Sequence, residues 1–235
     1  MNILVIKNAL KFYMRTIFYL LATIILITAC DKNSDSPAPL SDIDGNQYDT
    51  VIINNQVWMK QNLKTAHYRN GDPIPEITSM SVWSTLTTGA WCWYNNDSLK
   101  YAATYGKLYN WYAVNDPRGL APEGWHIPSD AEWTILSTSL GGDLVAGSEL
   151  KETGTQHWET PNADATNSSG FTGLPGGYCN GVGTFDNIAR YGILWSATEI
   201  DANYAWCRVL NFSLADFARD NEFKGIGLSV RCIQD

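Results

Sequence analysis

The chain has 235 residues and a formal net charge of −8, because 24 Asp and Glu outnumber 16 Lys and Arg. An acidic chain without a basic stretch disfavours nucleic acid as a partner. Ten tryptophans and a hydrophobic fraction of 45% exclude a disordered chain. They predict a globular domain in which aromatic side chains mainly fill the core.

Residues 1–29 are predicted to be a lipoprotein signal peptide. Lys7, Lys11 and Arg15 come before an apolar run from Ile17 to Ala29, and this segment contains no acidic residue. A positively charged start followed by a short apolar run is typical of export signals. The run is shorter than the roughly 20 residues of a transmembrane helix, so a short membrane anchor helix is the alternative interpretation.

The end of this run, Ile27-Thr28-Ala29-Cys30, resembles the bacterial lipobox. In a lipobox the cysteine is acylated and becomes the first residue of the mature protein. Cys30 is therefore the predicted lipidation site, and a membrane is a predicted partner through the lipid anchor. Each buried methylene of an acyl chain contributes about 0.8 kcal/mol to such anchoring. A soluble secreted protein with a coincidental cysteine is the alternative.

Residues 30–41 are predicted to form a flexible acidic tether, and residues 42–235 are predicted to form one domain. The tether is polar, contains Pro37 and Pro39, and shows no hydrophobic period, as linkers do. The remaining length is sufficient for a single domain that buries roughly 70% of its unfolded surface.

The predicted domain begins with a turn and a hairpin. Residues 42–46, DIDGN, offer three oxygen-bearing side chains, which raises the possibility of calcium. The EF-hand spacing would require glycine where Gln47 stands and glutamate where Ile53 stands, so we predict a turn without a metal. In residues 50–63 two apolar runs flank Asn54-Asn55, a pattern that predicts a β-hairpin.

Two helices are predicted in the middle of the chain. Residues 99–114 carry apolar residues at steps of three and four, which fall on one helix face: Tyr101, Tyr105, Leu108 and Tyr112. A second helix begins at the capping box Ser129-Asp130-Ala131-Glu132. Its predicted core-facing residues are Trp133, Leu136 and Leu140. Gly141 is predicted to end it in a left-handed conformation.

Glycine-rich loops follow Gly142, and the tail then alternates between apolar runs and polar turns. YGILWSA, YAWCRVLNF and GIGLSVRCI are three candidate strands, rich in β-branched and aromatic residues. They predict an antiparallel meander. Strands, two helices, a loop region and a meander together predict the α+β class.

Several motifs in fixed order support a family resemblance: IDGNQYDTVIINNQVWMKQNLKT, YGKLYNWYAV, EGWHIPSDAEW, GFTGLPGGY, LWSATE and GLSVRCI. They resemble the Fibrobacter succinogenes major paralogous domain, found in bacterial lipoproteins and secreted proteins, over about residues 42–235. More distantly, the chain is similar to the C-type lectin-like and formylglycine-generating-enzyme fold group. That likeness implies two helices flanking a small twisted antiparallel sheet with long loops. Leu120-Ala121 stand where relatives often have a cysteine, which puts an inherited lectin disulfide in doubt.

The lectin-like resemblance also suggests a ligand site on two strands and the turn between them. Indole rings and planar polar groups suit a sugar ring. The candidate ligand-binding residues are Trp195, Glu199, Asp201, Asn203, Trp206 and Arg208. The alternative is that both tryptophans lie in the core and that Glu199 and Asp201 are turn residues. Arg208 and Arg231 could also pair with Glu132 or Asp130, which would be a structural role.

Four cysteines remain once Cys30 is assigned to lipidation, and an exported chain can oxidise them. Cys179 and Cys207 flank one strand-rich segment, so we predict a disulfide between them and a second one between Cys92 and Cys232. Four reduced and buried thiols are the alternative.

The sequence does not predict an enzyme. His67, His126 and His157 show no metal-ligand spacing, and no nucleophile or phosphate-loop motif is present. We expect no catalytic residues, metal or cofactor, and we expect His126 to bond a neighbouring group or pack in the core, with a ligand or pH-sensing role as the alternative.

The predicted function is therefore that of an envelope-anchored bacterial lipoprotein whose domain binds a glycan or a protein without turning it over. We place it at the outer membrane, on the periplasmic face or at the cell surface. The first alternative is a structural or assembly component of the envelope. The second is an enzyme that acts on a cell-wall or glycan substrate and uses His126 or Glu132.

Overall fold

The computed structural model describes residues 40–235. The predicted signal peptide, the lipidation site Cys30 and most of the predicted tether lie outside the described residues.

The described residues form mainly short β-strands. The strands are β1 (Leu40–Ser41), β2 (Gln47–Tyr48), β3 (Thr50–Ile53), β4 (Gln56–Met59), β5 (Trp91–Cys92), β6 (Leu108–Tyr109), β7 (Trp125–His126), β8 (Gly176–Cys179), β9 (Phe185–Ile188), β10 (Tyr191–Glu199), β11 (Tyr204–Asn211), β12 (Phe217–Phe223) and β13 (Ile233–Gln234). The helices are α1 (Met80–Trp83), α2 (Ser98–Tyr105), α3 (Trp111–Val114), α4 (Asp130–Ser139) and α5 (Ala146–Leu150), with a 3-10 turn at Tyr94–Asn96.

The strands of residues 40–235 form four sheets. The largest is a curled sheet of five strands in the order β12-β11-β10-β8-β9. Its strands pair antiparallel except β10 and β8, which run parallel where Gly192 faces Gly177. A second sheet has the order β3-β4-β13-β7, and two-stranded sheets join β1 to β2 and β5 to β6. Strand β13 therefore lies between β4 and β7 and pairs with both.

The predicted fold class is wrong. The described chain is mostly β, with four sheets, rather than an α+β, C-type lectin-like domain in which two helices flank one small sheet. Much of the predicted helical and loop sequence is divided into short strands and turns. The short strands were not predicted, because a strand of two residues is too short to show a hydrophobic periodicity.

The predicted helix over residues 99–114 breaks at Gly106. Helix α2 ends at Tyr105, β6 follows, and α3 occupies only Trp111–Val114. Gly106 has a φ of 72°, and a Cβ there would lie 2.8 Å from the carbonyl oxygen of Leu63. A close backbone contact of this kind accepts only glycine, so tertiary packing divides a segment whose side-chain spacing favours one helix.

The second predicted helix is confirmed as α4. The Ser129 hydroxyl accepts from the backbone N–H of Glu132, and the Glu132 carboxylate accepts from the backbone N–H of Ser129. Trp133 and Leu136 are fully buried. Gly141 follows the helix with a φ of 93°, as a left-handed stop requires.

The hairpin is also confirmed, but the meander is only partly so. Strands β3 and β4 pair around the turn at Asn54-Asn55, and β10 and β11 match two of the three predicted tail strands. The third strand of the meander is β12, which was not predicted from the sequence. Residues 225–232 instead make isolated bridges, such as that of Leu228 with Tyr109, before β13.

Tryptophan fills the core, as predicted. The fully buried indoles include Trp58, Trp133 and Trp195. Trp58 and Trp133 stack with ring centroids 4.6 Å apart, and this pair joins the hairpin to α4. None of the helices within residues 40–235 has the length and hydropathy needed to span a membrane.

The predicted disulfides are not found. All four cysteines of the described chain are buried free thiols. Cys92 and Cys179 lie in one aromatic cluster, whereas Cys207 and Cys232 lie in another. The structure therefore does not bring Cys179 to Cys207 or Cys92 to Cys232, because position along the chain does not report which sheets meet.

Candidate functional site

Two of the six predicted ligand-binding residues belong to the core. Trp195 is fully buried and donates its indole N–H to the carbonyl oxygen of Tyr109 at 2.8 Å. Arg208 is also fully buried, with its guanidinium 2.8 Å from Asp143 and 2.7 Å from the Thr134 hydroxyl. Both side chains hold elements together and are not placed to meet a ligand.

The other four lie at the hairpin between β10 and β11 or on its surface. Glu199 accepts from the Lys224 ammonium at 2.9 Å, and Asp201 accepts the backbone N–H groups of Asn203 and Tyr204. These contacts stabilise a turn, and Asn203 is exposed beside it. The Trp206 ring is covered by a guanidinium, that of Arg219, which lies 3.3 Å from its centroid.

The suggested pairing of the two buried arginines with Asp130 or Glu132 is found for Arg208, which reaches Asp130, and not for Arg231. Arg208 pairs with Asp143, and its contact with Asp130 is longer, at 3.8 Å. Arg231 makes no ion pair within the described chain but donates to Asn62 and to the carbonyl oxygen of Phe171. Burial lowers the pKa of Arg231 to about 9.

His126 takes a local structural position. Its two ring nitrogens lie 2.7 Å from Asp235 and 2.8 Å from Glu132. Burial lowers the pKa of His126, but the hydrogen bonds to Glu132 and Asp235 outweigh burial and leave this pKa raised. All four cysteines of the described residues are buried, so no accessible thiol joins His126 and Glu132.

A different polar site surrounds the turn at residues 42–46. Asp42 is buried and accepts the backbone N–H groups of Asp44 and Asn46, each at 3.0 Å, and the Tyr48 hydroxyl at 2.6 Å. These bonds satisfy the Asp42 carboxylate without a metal. The turn therefore has the shape of an Asx turn, and it fixes the outward direction of Asp44.

Asp44 connects the turn to the segment after the hairpin. Its carboxylate lies 2.5 Å from His67 Nδ1 and accepts from the Thr65 hydroxyl and the Ala66 backbone N–H. Burial raises the pKa of Asp44, but these hydrogen bonds outweigh it and lower the pKa below its usual value. Asp44 is consequently a carboxylate at neutral pH; it lines one hollow, and its partners Thr65 and His67 line a second.

The larger hollow is an open groove of about 510 Å³. We call it the Trp93 groove; it is lined by Asp44, Asn46, Lys64, Ala66, Trp93, Ala102, Ala103 and Lys107. An indole, a carboxylate, an amide and two ammonium groups share this surface. Trp93 packs edge-on against Trp91, with ring centroids 5.3 Å apart, so its position is fixed by the core.

Lys107 forms the inner wall of the Trp93 groove. Its ammonium donates to the carbonyl oxygen of Lys64 at 2.6 Å and lies 3.9 Å from the ring centroid of Trp91 and 5.0 Å from that of Trp93. Cation–π contacts of this type are strengthened by desolvation. Burial lowers the pKa of Lys107 to about 8.

The smaller hollow has a volume of about 230 Å³ and is lined by the Asp44 partners Thr65 and His67, not by Asp44 itself. Its polar lining includes Ser41, Thr65, His67, Arg69 and Glu123. Arg69 is anchored, since it donates to the carbonyl oxygens of Ala121 and Trp125. No group of three His, Cys, Asp or Glu side chains within residues 40–235 is arranged to hold a metal ion.

The Trp93 groove was not predicted from the sequence. Residues 42–46 were expected to form only a turn, and no role was predicted for Trp93, Lys64 or Lys107. The available signal was the coincidence of an acidic turn, the KTAH segment and the WCW segment. These three segments are distant in sequence, and only the fold brings them together.

The fold and the site define a class: an acidic, tryptophan-rich, mostly β domain with an open groove lined by aromatic and polar groups. The sequence model of the Fibrobacter succinogenes major domain matches residues 51–234, and the chain belongs to this family. The match includes Trp93 and Lys107 and confirms the family resemblance. A search of curated proteins and a search of solved structures found no match to the chain.

Proposed function

We propose that this protein is an envelope-anchored bacterial lipoprotein whose domain binds a saccharide in the Trp93 groove without turning it over. The observation that carries the proposal is the combination of Trp93 with Asp44, Asn46 and Lys64 around one open groove. An aromatic ring offers apolar area to the C–H face of a sugar, and planar polar groups pair with its hydroxyls.

Rigidity supports binding at this groove. Trp93 follows β5 and packs against the buried Trp91, while Asp44 is held by three hydrogen-bond donors. A site whose side chains are already ordered loses less entropy when a ligand binds. By contrast, Trp206 lies beneath Arg219 and lines none of the hollows described above.

The proposal that binding occurs without turnover rests on the roles of the titratable groups. His126 and Glu132 bond each other and the helix start. The carboxylate and imidazole nearest to the groove, Asp44 and His67, bond each other. We assign Asp44 and His67 to ligand contact and positioning rather than to proton transfer.

The test is a glycan array of plant and bacterial cell-wall polysaccharides, followed by calorimetric titration of the saccharides that bind. Trp93→Ala is expected to weaken binding at least tenfold, about 1.4 kcal/mol, and Trp93→Phe is expected to lose less. Trp206→Ala is the matched control, because it removes a tryptophan outside the groove.

Three results would count against the proposal. Equal loss in Trp93→Ala and Trp206→Ala would place the ligand elsewhere. An array without binding, together with crosslinking to a neighbouring envelope protein, would favour an envelope assembly component. Release of shortened saccharides, lost in His67→Ala, would identify an enzyme.

The lipid anchor has its own test. Mass spectrometry of the membrane-extracted protein is expected to find acyl chains on Cys30 as the first residue. A mature protein that begins at another residue and remains in the soluble fraction would contradict the anchor and leave the binding proposal untouched.

A further inference from the structure

Two cysteines from distant parts of the chain meet in the interior. Cys92 ends β5 and Cys179 ends β8. Both are fully buried in one small aromatic cluster with Trp83, Tyr94 and Tyr101. Cys179 also contributes, after burial, to the raised pKa of the Cys92 thiol, as a neighbouring thiol in the same cluster does.

The backbone on both sides of this contact is held by strand pairing. Cys92 pairs with Leu108, whereas Cys179 pairs with Phe185 and bridges Gly227. Gly227 is required there, because a Cβ at this position would lie 2.9 Å from the Trp83 ring and 3.1 Å from the Cys179 Cβ. The neighbourhood of the two thiols is therefore fixed before any covalent bond forms.

The other two cysteines lack such a neighbour. Cys207 lies on β11, where the charges of Glu222, Asp220 and Arg208 act on the pKa of its thiol. Cys232 precedes β13, with Arg69 and Asp42 as the charged groups around it. Burial raises the pKa of both thiols, as it does that of Cys92, so the distinction between the two pairs is the presence of a neighbouring thiol in one cluster and not reactivity.

We propose that Cys92 and Cys179 form a disulfide when the protein folds in an oxidising compartment, while Cys207 and Cys232 remain thiols. The oxidant is a disulfide, either of a thiol–disulfide oxidoreductase or of oxidised glutathione. Cys92 or Cys179 attacks the oxidant as a thiolate and forms a mixed disulfide, and the second thiolate displaces the remaining oxidant sulfur. One S–S bond forms in the protein, the oxidant gains two electrons, and the two cysteine protons pass to the released thiols.

This crosslink has a consequence for the domain that does not depend on any ligand. It joins the segment that contains Trp93, one residue after Cys92, to β8 of the five-stranded sheet. A disulfide that closes a long loop restricts the unfolded chain and stabilises the folded one. The bond also gives a role to Cys92 and Cys179, neither of which lines the Trp93 groove.

The experiment is refolding of the full chain from urea in a buffer of reduced and oxidised glutathione, with alkylation and non-reducing peptide mapping. We expect a peptide that joins Cys92 to Cys179 and alkylated Cys207 and Cys232. Cys207→Ser is the matched control and should retain the crosslink, whereas Cys92→Ser should leave Cys179 alkylated. A Cys179–Cys207 or Cys92–Cys232 peptide, or four alkylated thiols, would overturn the proposal.

A stability measurement keeps the test independent of how well a variant refolds. Reductant should lower the urea midpoint of the oxidised wild-type chain and leave that of a Cys92→Ser, Cys179→Ser variant unchanged. An equal response in both proteins, or no response in the wild type, would also overturn it. Neither result depends on saccharide binding, so this proposal and the proposed function can fail separately.

Discussion

The imidazole of His126 joins the start of α4 to the last residue of the chain. Its Nε2 lies 2.8 Å from Glu132, which also accepts from the backbone N–H of Ser129, and its Nδ1 lies 2.7 Å from Asp235. One side chain therefore couples a helix cap to β7 and to the chain end. Two carboxylates on one ring favour the doubly protonated imidazolium.

This arrangement predicts a pH-dependent contribution to stability. Because the folded-state pKa of His126 is raised, its contribution is fully present below the unfolded value, near 6.5, and is lost as the pH rises through the folded value. His126→Ala is expected to lower the free energy of unfolding by about 1 kcal/mol at pH 6, and by less at pH 9. Urea titrations at both pH values measure the difference, and a larger loss at pH 9 would contradict it.

Arg208 is predicted to act in stability and not in binding. Asp143→Ala removes a charged partner from a fully buried guanidinium, so we expect a loss of about 2 kcal/mol with unchanged saccharide affinity. Arg190→Ala is the control, since its ion pair with Glu159 is solvent-exposed and should leave the urea midpoint unchanged. If the folded Asp143→Ala variant bound saccharide more weakly, the result would indicate that Arg208 belongs to the ligand site.

The contribution of Lys107 to folding stability is expected to depend on pH in the opposite direction from that of His126. Its pKa is lowered to about 8 in the folded state, while an unfolded lysine titrates near 10.4. The unfolded chain therefore binds more protons between these values, and the Lys107 contribution to stability improves as the pH rises from about 8 to about 10. Compared with Lys107→Met, the wild-type protein is expected to gain stability over this range. A constant difference in denaturation midpoint would show that the Lys107 charge is not destabilised by burial.

The largest predicted loss of folding stability is at the stacked indoles of the core. Trp133 is fully buried, stacks on Trp58 and donates to the carbonyl oxygen of Trp195 at 3.3 Å. Trp133→Ala is expected to cost about 3 to 5 kcal/mol by chemical denaturation. Leu144→Ala, at an exposed position, should change stability by less than about 0.5 kcal/mol. Similar values for the two variants would contradict the assignment of the tryptophans to the core.

The features that could be predicted from the sequence are those whose signals are local. The capping box of Ser129 and Glu132 and the turn at Asn54-Asn55 each lie within a few residues, and the structure contains both. Family membership could also be predicted, because ordered motifs along the chain carry it. The signal peptide, the Cys30 anchor and the binding function remain predictions.

The features that could not be predicted depend on contacts between distant segments. Gly106 ends a helix because Leu63 lies against it, and Cys92 meets Cys179 because β5 and β8 share one cluster. In the same way, Trp93 and Asp44 line one groove although nearly fifty residues separate them in the sequence.

The sequence by itself therefore determined the caps, the turns, the aromatic content of the core and the family. Only the tertiary structure decided the β-rich architecture, the thiol pair and the groove. The physical reason is that capping and turn formation depend on bonds between near neighbours, whereas strand pairing and cavity lining depend on which distant surfaces pack together.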